Sequence, residues 1–174
     1  SLGLVGSEMC IRDRLRSDSI YEGLKYIMRD DPEETIGIVL VHDAARCFAP
    51  AELFSTVTER VRTIMSQNVA AGVVPALPVV DTIKMVDSSG NVLGTPDRTR
   101  LRRVQTPQGF DAKLLWTLHQ EARKEGLSTT DDAALLEKFQ FGVATVPGDE
   151  KALKITTPTD LRLAQFIMEE DAEG

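Results

Sequence analysis

The 174-residue sequence is poor in the residue types on which several classes of protein depend. Its two cysteines, Cys10 and Cys47, are too few for a disulfide framework, and no Cys-x-x-Cys or Cys/His cluster indicates zinc. No apolar run approaches the length of a membrane span. The sequence therefore predicts a protein of the reducing cytoplasm that does not insert into a membrane.

Positive charge and histidine are also scarce. Lys and Arg number 20 against 27 Asp and Glu, which gives a net charge of −7, and no Lys/Arg-rich run occurs. We therefore expect no nucleic-acid-binding face, and a small anionic ligand would need a local cationic pocket. The two histidines, His42 and His119, stand in different sequence contexts, and nothing resembles Ser/His/Asp nucleophilic machinery.

Hydrophobic residues make up 42% of the chain and charged residues 27%, which is typical of one globular domain with a sizeable core. Apolar runs alternate with segments of helical periodicity, so we predict a three-layer α/β domain with a largely parallel sheet. The predicted strands are residues 37–41, 69–74, 143–146 and 153–156. The predicted helices cover residues 19–28, 50–67 and 112–124, a segment from Thr129, and a last helix that buries Leu161, Ala164 and Ile167.

Two segments stand apart from this alternation. Residues 79–86 and 92–93 flank a Gly/Asn turn and predict a β-hairpin. It belongs to an arm at about residues 82–104, which is expected to project from the domain and to need a partner surface, as in a dimer. Residues 1–14 (SLGLVGSEMCIRDR) show no clear pattern and are interpreted as a foreign leader. Residues 15–174 would then form a partial domain.

Polar residues follow several of the apolar runs. Asp43 and Arg46 come directly after residues 38–41, and the other runs are followed by Asp81 and Thr82, by Thr106, and by Lys154 to Thr156. Parallel strands would bring these residues to one edge of the sheet, where α/β proteins bind ligands. A carboxylate beside cations and hydroxyls suits a metal-bound phosphorylated ligand, which favours phosphoryl or nucleotidyl transfer. The alternative is that Asp43 and Arg46 form only a solvated strand end.

Five motifs in this order resemble those of the 2-C-methyl-D-erythritol 4-phosphate cytidylyltransferases of the non-mevalonate isoprenoid pathway. They are residues 39–46 (VLVHDAAR), 78–84 (PVVDTIK), 104–110 (VQTPQGF), 130–133 (TDDA) and 153–161 (LKITTPTDL). Residues 16–20 (RSDSI) also resemble a helix start in that family.

The resemblance implies a Rossmann-like nucleotidyltransferase that is homodimeric through the hairpin arm. Its reaction would join CTP and 2-C-methyl-D-erythritol 4-phosphate with Mg²⁺ and release pyrophosphate. By motif position Asp43 would ligate the metal, while Arg46 and Lys154 would act on the reacting phosphate. The remaining positions are Ser19, Ala44 and Ala45 at the nucleoside, Thr82 and Thr106 at the sugar phosphate, and Arg98 reaching the partner subunit's substrate.

The sequence departs from the family pattern at three places. The family's first strand and glycine-rich loop, Ala-Ala-Gly-x-Gly-x-Arg, which cradles the triphosphate, are missing. We therefore expect little or no activity from this chain alone. Cys47 stands where the family usually has Pro, and Ala152 stands where Asn often precedes the motif of Lys154, so support for that lysine is in question.

Other interpretations remain open at this stage. A ribitol-5-phosphate cytidylyltransferase would use the same chemistry, although Ala45 favours the methylerythritol enzyme. The chain could also be one domain of a fusion with the cyclodiphosphate synthase of the same pathway, or a non-catalytic nucleotide-binding or dimerisation module. His42 is expected to be a structural hydrogen-bonding residue, and Ser19 and Thr130 are each also explained as helix caps.

Overall fold

The computed structural model describes residues 16–31, 33 and 35–173; the predicted leader lies outside this range, so its interpretation stays a prediction. The helices are α1 (Arg16–Asp30), α2 (Ala51–Gln67), α3 (Ala112–Glu125), α4 (Asp132–Lys138) and α5 (Pro158–Glu173). The strands are β1 (Ile38–Val41), β2 (Gly72–Pro78), β3 (Met85–Val86), β4 (Val92–Gly94), β5 (Arg102–Val104), β6 (Gln108–Asp111) and β7 (Val143–Pro147). Short 3₁₀ helices occupy Arg98–Arg100 and Glu150–Ala152.

Helical periodicity explains how α2 forms and where it ends. Its buried residues Leu53, Val57, Val61 and Ile64 recur every three or four positions, so they share one face of the helix. The helix stops at Asn68, whose left-handed conformation (φ 54°) suits Asn.

The main sheet has five strands and is mixed, which corrects the prediction of a mostly parallel sheet. Strand β6 lies between β1 and β2 and pairs with both antiparallel, β5 pairs with β2 antiparallel, and β7 pairs with β2 parallel. Strands β1, β2 and β7 therefore run in the same direction, and their carboxyl ends lie at one edge. The two antiparallel strands, β5 and β6, lie outside the predicted strands, and the short run Gln-Gly-Phe-Asp of β6 carries no strand pattern.

Helices cover both faces of this sheet, as the three-layer prediction requires. On one face, Val39 and Phe110 pack in a core cluster with residues of α1, α3 and α4. On the other face, Val73 and Val146 pack against α2. The close approach of α2 depends on Gly109 of β6, because a Cβ there would lie 2.6 Å from the Val57 Cγ1 atom.

Three details of the strand and helix predictions were wrong. Strand β2 was predicted at residues 69–74 but covers Gly72–Pro78. Residues 153–156 form no strand, because their preceding loop is held by side chains from elsewhere instead of by a strand ladder. Leu161 is 52% exposed, whereas Ala164 and Ile167 are buried as predicted.

The predicted hairpin is present as β3 and β4, which pair antiparallel. Its turn is built by Asp87, whose carboxylate accepts the backbone N–H groups of Ser89 and Asn91. The arm's last residues return to the main sheet as β5. Several large apolar side chains of the arm are exposed, including Ile83, Met85, Val86, Val92 and Leu93.

None of the helices in the described part of the chain is long and apolar enough to cross a membrane.

Candidate active site

Asp43 and Arg46 lie in the turn that follows β1. The Arg46 N–H donates to the carbonyl of Asp43 at 2.9 Å, which closes the turn through Ala44 and Ala45. The two side chains are 18% and 13% exposed, and Arg46 Nε lies 3.7 Å from Asp43 Oδ2. This ion pair is therefore mostly buried and is screened less by solvent than a surface pair.

Lys154 reaches the same carboxylate from a segment more than a hundred residues further along the chain. Its Nζ atom lies 3.1 Å from Asp43 Oδ2. Two contacts hold this segment: the N–H of Ile155 donates to the Ala45 carbonyl at 2.8 Å, and Arg46 Nη1 donates to the Ala152 carbonyl at 2.8 Å. The structure thus brings the predicted Asp43, Arg46 and Lys154 together.

Thr106 is the fourth predicted residue in this cluster. It lies in the break between β5 and β6, is 4% exposed, and accepts the N–H of Asp43 on Oγ1 at 3.0 Å. The same oxygen is 3.0 Å from His42 Nδ1. Because the hydroxyl already accepts from Asp43, its own proton is available to the unprotonated Nδ1 of a neutral His42.

Burial changes the titration of two of these side chains. It lowers the pKa of His42, whose ring also packs against Phe54 with centroids 4.9 Å apart. A lowered pKa keeps His42 neutral near pH 7 and fits its predicted hydrogen-bonding role better than that of a cation. Burial also lowers the pKa of Arg46, an effect that the negative charge of Asp43 opposes.

The other predicted site residues lie on separate elements. Ser19 is half-buried in α1, Thr82 is exposed in the arm, and Arg98 donates through Nη1 to the Val80 carbonyl at 2.7 Å. None of the hydrogen bonds or ion pairs found among the described residues joins these three to the Asp43 cluster. Their roles stay predictions.

Two buried polar networks were not predicted. Gln105, 4% exposed, donates through Nε2 to the carbonyl of Asp149 at 2.7 Å and accepts the Asp149 N–H at 3.0 Å. On the α3 side of the sheet, His119 pairs with Asp132 at 2.8 Å. Polar residues within otherwise apolar segments were the available signal, but the sequence does not show which of them are buried.

The cluster offers a metal ion one carboxylate, Asp43. Within the described ranges, no three His, Cys, Asp or Glu side chains come together as a metal-binding group. A single carboxylate fits Mg²⁺, which keeps several waters or takes phosphate oxygens from its substrate as further ligands. It does not fit a structural zinc site, which needs four protein ligands.

Two cations, one carboxylate and a buried hydroxyl thus meet at the carboxyl edge of a three-layer α/β sheet. Guanidinium and ammonium groups bind phosphate oxygens, and an adjacent carboxylate attracts a divalent cation. Fold and site together define a Rossmann-like nucleotidyltransferase domain.

Known proteins specify the family. The profile of 2-C-methyl-D-erythritol 4-phosphate cytidylyltransferase matches residues 12–170. The cytidylyltransferase of that name from Microcystis aeruginosa is 47% identical over 153 residues, which cover 88% of this chain but only 63% of the relative's length. The chain belongs to the 2-C-methyl-D-erythritol 4-phosphate cytidylyltransferase family.

Solved structures agree with this assignment. The crystal structure of 2-C-methyl-D-erythritol 4-phosphate cytidylyltransferase from Thermus thermophilus has a TM-score of 0.74 and 34% identity, covering 90% of this chain and 71% of that one. The 4-diphosphocytidyl-2C-methyl-D-erythritol synthase from Anaerococcus prevotii has a TM-score of 0.78 and 31% identity, covering 90% and 65%. The predicted fold class and family are confirmed.

Proposed function

We propose that this chain carries the acceptor side of a CTP-dependent cytidylyltransferase site. A phosphate oxygen of 2-C-methyl-D-erythritol 4-phosphate attacks the α-phosphorus of CTP, and the bond from that phosphorus to the pyrophosphate oxygen breaks. The products are 4-diphosphocytidyl-2-C-methyl-D-erythritol and pyrophosphate. The observation that carries the proposal is the cluster of Asp43, Arg46, Lys154 and Thr106 in a chain of this family.

Lys154 and Arg46 are the groups that act on the reacting phosphate. Negative charge grows on that phosphate during transfer, and fixed cations in a partly buried site stabilise it without reorganising. Their contacts with Asp43 and with the Ala152 carbonyl hold both cations in place before substrate arrives. Thr106 and Thr82 contact the sugar phosphate, and Ser19, Ala44 and Ala45 lie at the nucleoside.

Asp43 is proposed to hold Mg²⁺ together with oxygens of the nucleotide. When bound, the ion neutralises charge on the triphosphate. Its ligand Asp43 also keeps Lys154 and Arg46 in the site, so one carboxylate serves both the ion and the two side-chain cations.

We also propose that the protein is a cytoplasmic homodimer assembled through its arm. The exposed apolar side chains of the paired strands β3 and β4 support this, because large apolar side chains grouped on a surface favour association. Arg98 lies at the base of the same arm, from which it would reach the partner's substrate.

Pyrophosphate release from CTP, Mg²⁺ and 2-C-methyl-D-erythritol 4-phosphate tests the proposed reaction. This chain spans only 63% of the Microcystis relative's length, so the test uses a longer protein. A chimera that joins residues 16–174 to the amino-terminal part of the Microcystis relative is expected to turn over. Ribitol 5-phosphate serves as the control acceptor. A folded chimera that releases no pyrophosphate with the methylerythritol phosphate would refute the proposal.

Lys154→Ala in the chimera tests the role of the cation. We expect kcat to fall by about 100-fold or more, as when one preorganised electrostatic contact is removed from an active site. Lys25→Ala is the matched control, since Lys25 is exposed on α1 and pairs only with Glu22 among the ion pairs found. Equal rates for the two variants would contradict the assignment of Lys154.

A further inference from the structure

The segment that delivers Lys154 belongs to no regular element, and beyond Ala152 its backbone is tied to the site turn by the Ile155 N–H, which donates to the Ala45 carbonyl at 2.8 Å. Residues 153–156 belong to no strand or helix, and the preceding residues form only a 3₁₀ turn, Glu150–Ala152. A lysine on such a segment is positioned only if other groups hold the loop.

Gln105 holds the turn that precedes this segment, beside the contacts made by Ile155 and Arg46. Its side-chain amide makes a two-way contact with the backbone of Asp149, and its Nε2 also lies 3.3 Å from the Ala152 carbonyl. The backbone N–H of Gln105 donates to Pro75 on β2 at 2.8 Å, so the amide is mounted on the main sheet. The loop is thus fixed to the sheet at both ends of its 3₁₀ turn by one side chain.

The Gln105 amide is closely packed. Gln105 is 4% exposed, and a Cβ at Gly148 would overlap its Oε1 atom. Glycine at position 148 therefore lets the Gln105 amide reach the loop. A buried amide of this kind is costly unless its donor and acceptor are both used, and here both are.

The Ala152 carbonyl connects the loop to the active site. Ala152 O accepts from Gln105 and also from Arg46, whose Nη1 lies 2.8 Å away. Two residues further on, Lys154 Nζ meets Asp43 at 3.1 Å. Residue 152 is a fully buried alanine, so its own side chain offers Lys154 no hydrogen bond.

We propose that Gln105 is a positioning residue that holds the 149–152 loop so that the Lys154 ammonium meets Asp43 at the reacting phosphate. The catalytic importance of this positioning rests on the proposed function. The positional claim itself can be measured without turnover.

The test is the rate at which trace acetic anhydride labels Lys154, measured by mass spectrometry relative to Lys25 in the same molecule. An amine paired with a carboxylate is labelled slowly, and a released amine is labelled faster. Gln105→Met, which keeps the shape and removes the hydrogen bonds, is expected to raise the relative rate about fivefold, the factor that corresponds to one net hydrogen bond. Gly148→Ala should do the same by displacing the amide.

Two controls separate positioning from general loosening. Leu118→Ala removes a buried core side chain of α3 and should leave the relative rate unchanged. In an Asp43→Asn background Lys154 is already released, so Gln105→Met should add nothing. If Gln105→Met does not fold, Gln105→Glu replaces it. This variant keeps the acceptor and loses the donor, so the relative labelling rate of Lys154 should again rise.

An unchanged Lys154 rate in folded Gln105 variants would overturn the proposal, as would an equal increase in Leu118→Ala or an additive increase over Asp43→Asn. Failure of the chimera to release pyrophosphate would instead refute the proposed function and leave these labelling rates as they are.

Discussion

Arg46 joins two distant parts of the chain, and its contribution can be measured as stability. Arg46→Met removes a charged hydrogen bond to the Ala152 carbonyl and is expected to lower the free energy of unfolding by about 1–3 kcal/mol. Arg46→Lys keeps the charge near Asp43 but loses the planar guanidinium. Its free energy of unfolding should therefore lie between those of the wild type and Arg46→Met. Urea denaturation measures all three proteins. The control is Arg62→Met at an exposed position of α2, where the change should stay within about 0.5 kcal/mol.

Gly109 permits the contact between α2 and β6. An alanine there would press its Cβ against Val57 and Val61, at 2.6 and 2.8 Å, in a fully buried cluster. Gly109→Ala should therefore destabilise the fold by about 1–3 kcal/mol. Gly23 is the matched control, because a Cβ there meets nothing within 4 Å. Since Gly23 lies inside α1, Gly23→Ala should stabilise by about 0.5–1 kcal/mol. Thermal unfolding measures both variants, and a shift of their melting temperatures in the same direction would contradict this account.

Single residues also show what sequence reasoning could reach. Asp43, Arg46, Thr106 and Lys154 were predicted from polar residues that follow apolar runs, and they do meet. Gln105 was missed although it stands directly before Thr106, because its role depends on a loop 44 residues away in sequence. Nothing in the local sequence distinguishes a buried amide from a solvated one.

Among the elements, α5 has an amino-terminal cap that depends on pH. The Asp160 carboxylate accepts the N–H groups of Thr156 and Thr157, and the Thr157 hydroxyl accepts the N–H of Asp160. These hydrogen bonds lower the pKa of Asp160 below its ordinary value of 3.8. The charged form is therefore favoured in the folded state, and its stabilisation is complete above that ordinary value and is lost as pH falls through the lowered pKa.

We expect the amide protons of Thr156 and Thr157 to exchange faster as pH falls through the lowered pKa of Asp160, after correction for the intrinsic pH dependence of exchange. Asp160→Asn should remove this pH-dependent change in exchange rate, although the Asn side-chain oxygen can still accept part of the hydrogen bonds of the cap. The exchange rates, measured by NMR, would contradict the prediction if wild type and Asp160→Asn followed the same pH curve.

Strand β6 explains why the strand pairing was mispredicted while the position of the site was not. Its four residues, with Gly109 at the centre, do not alternate, and it enters the sheet between β1 and β2 by pairing that is distant in sequence. Because β6 is antiparallel to both neighbours, β1 and β2 still run in the same direction. The polar residues after β1 consequently lie at the predicted edge.

For the whole molecule, the arm predicts association. The protein is expected to sediment as a dimer, because apolar side chains of β3 and β4 are exposed. Leu93→Lys, at a side chain 67% exposed, should shift the protein toward monomer by placing a charge in the interface. Val69→Lys is the matched control, since Val69 is 68% exposed and lies at the end of α2. Analytical ultracentrifugation would exclude arm-mediated dimerisation if neither variant, or both equally, changed the sedimentation coefficient.

At this scale the sequence predicted the order of most helices and strands, the three layers and the family. Long periodic segments such as α2 carry that information within themselves. Residues 153–156 were predicted as a strand, yet the Ile155 N–H donates to the Ala45 carbonyl, and the Ala152 carbonyl before them accepts from Arg46 and Gln105. Those partners belong to the tertiary structure, which no short window of sequence contains.

The hydrogen bond from Arg46 to Ala152 spans 106 positions of the chain. During synthesis, when the chain emerges from its amino end, β1 and its turn leave the ribosome long before the loop that carries Lys154. Through that interval Asp43 has yet to meet Lys154, and Arg46 has yet to meet the Ala152 carbonyl. The charge cluster can therefore be completed only after this loop has emerged, and nascent chains that stop short of residue 154 should lack it.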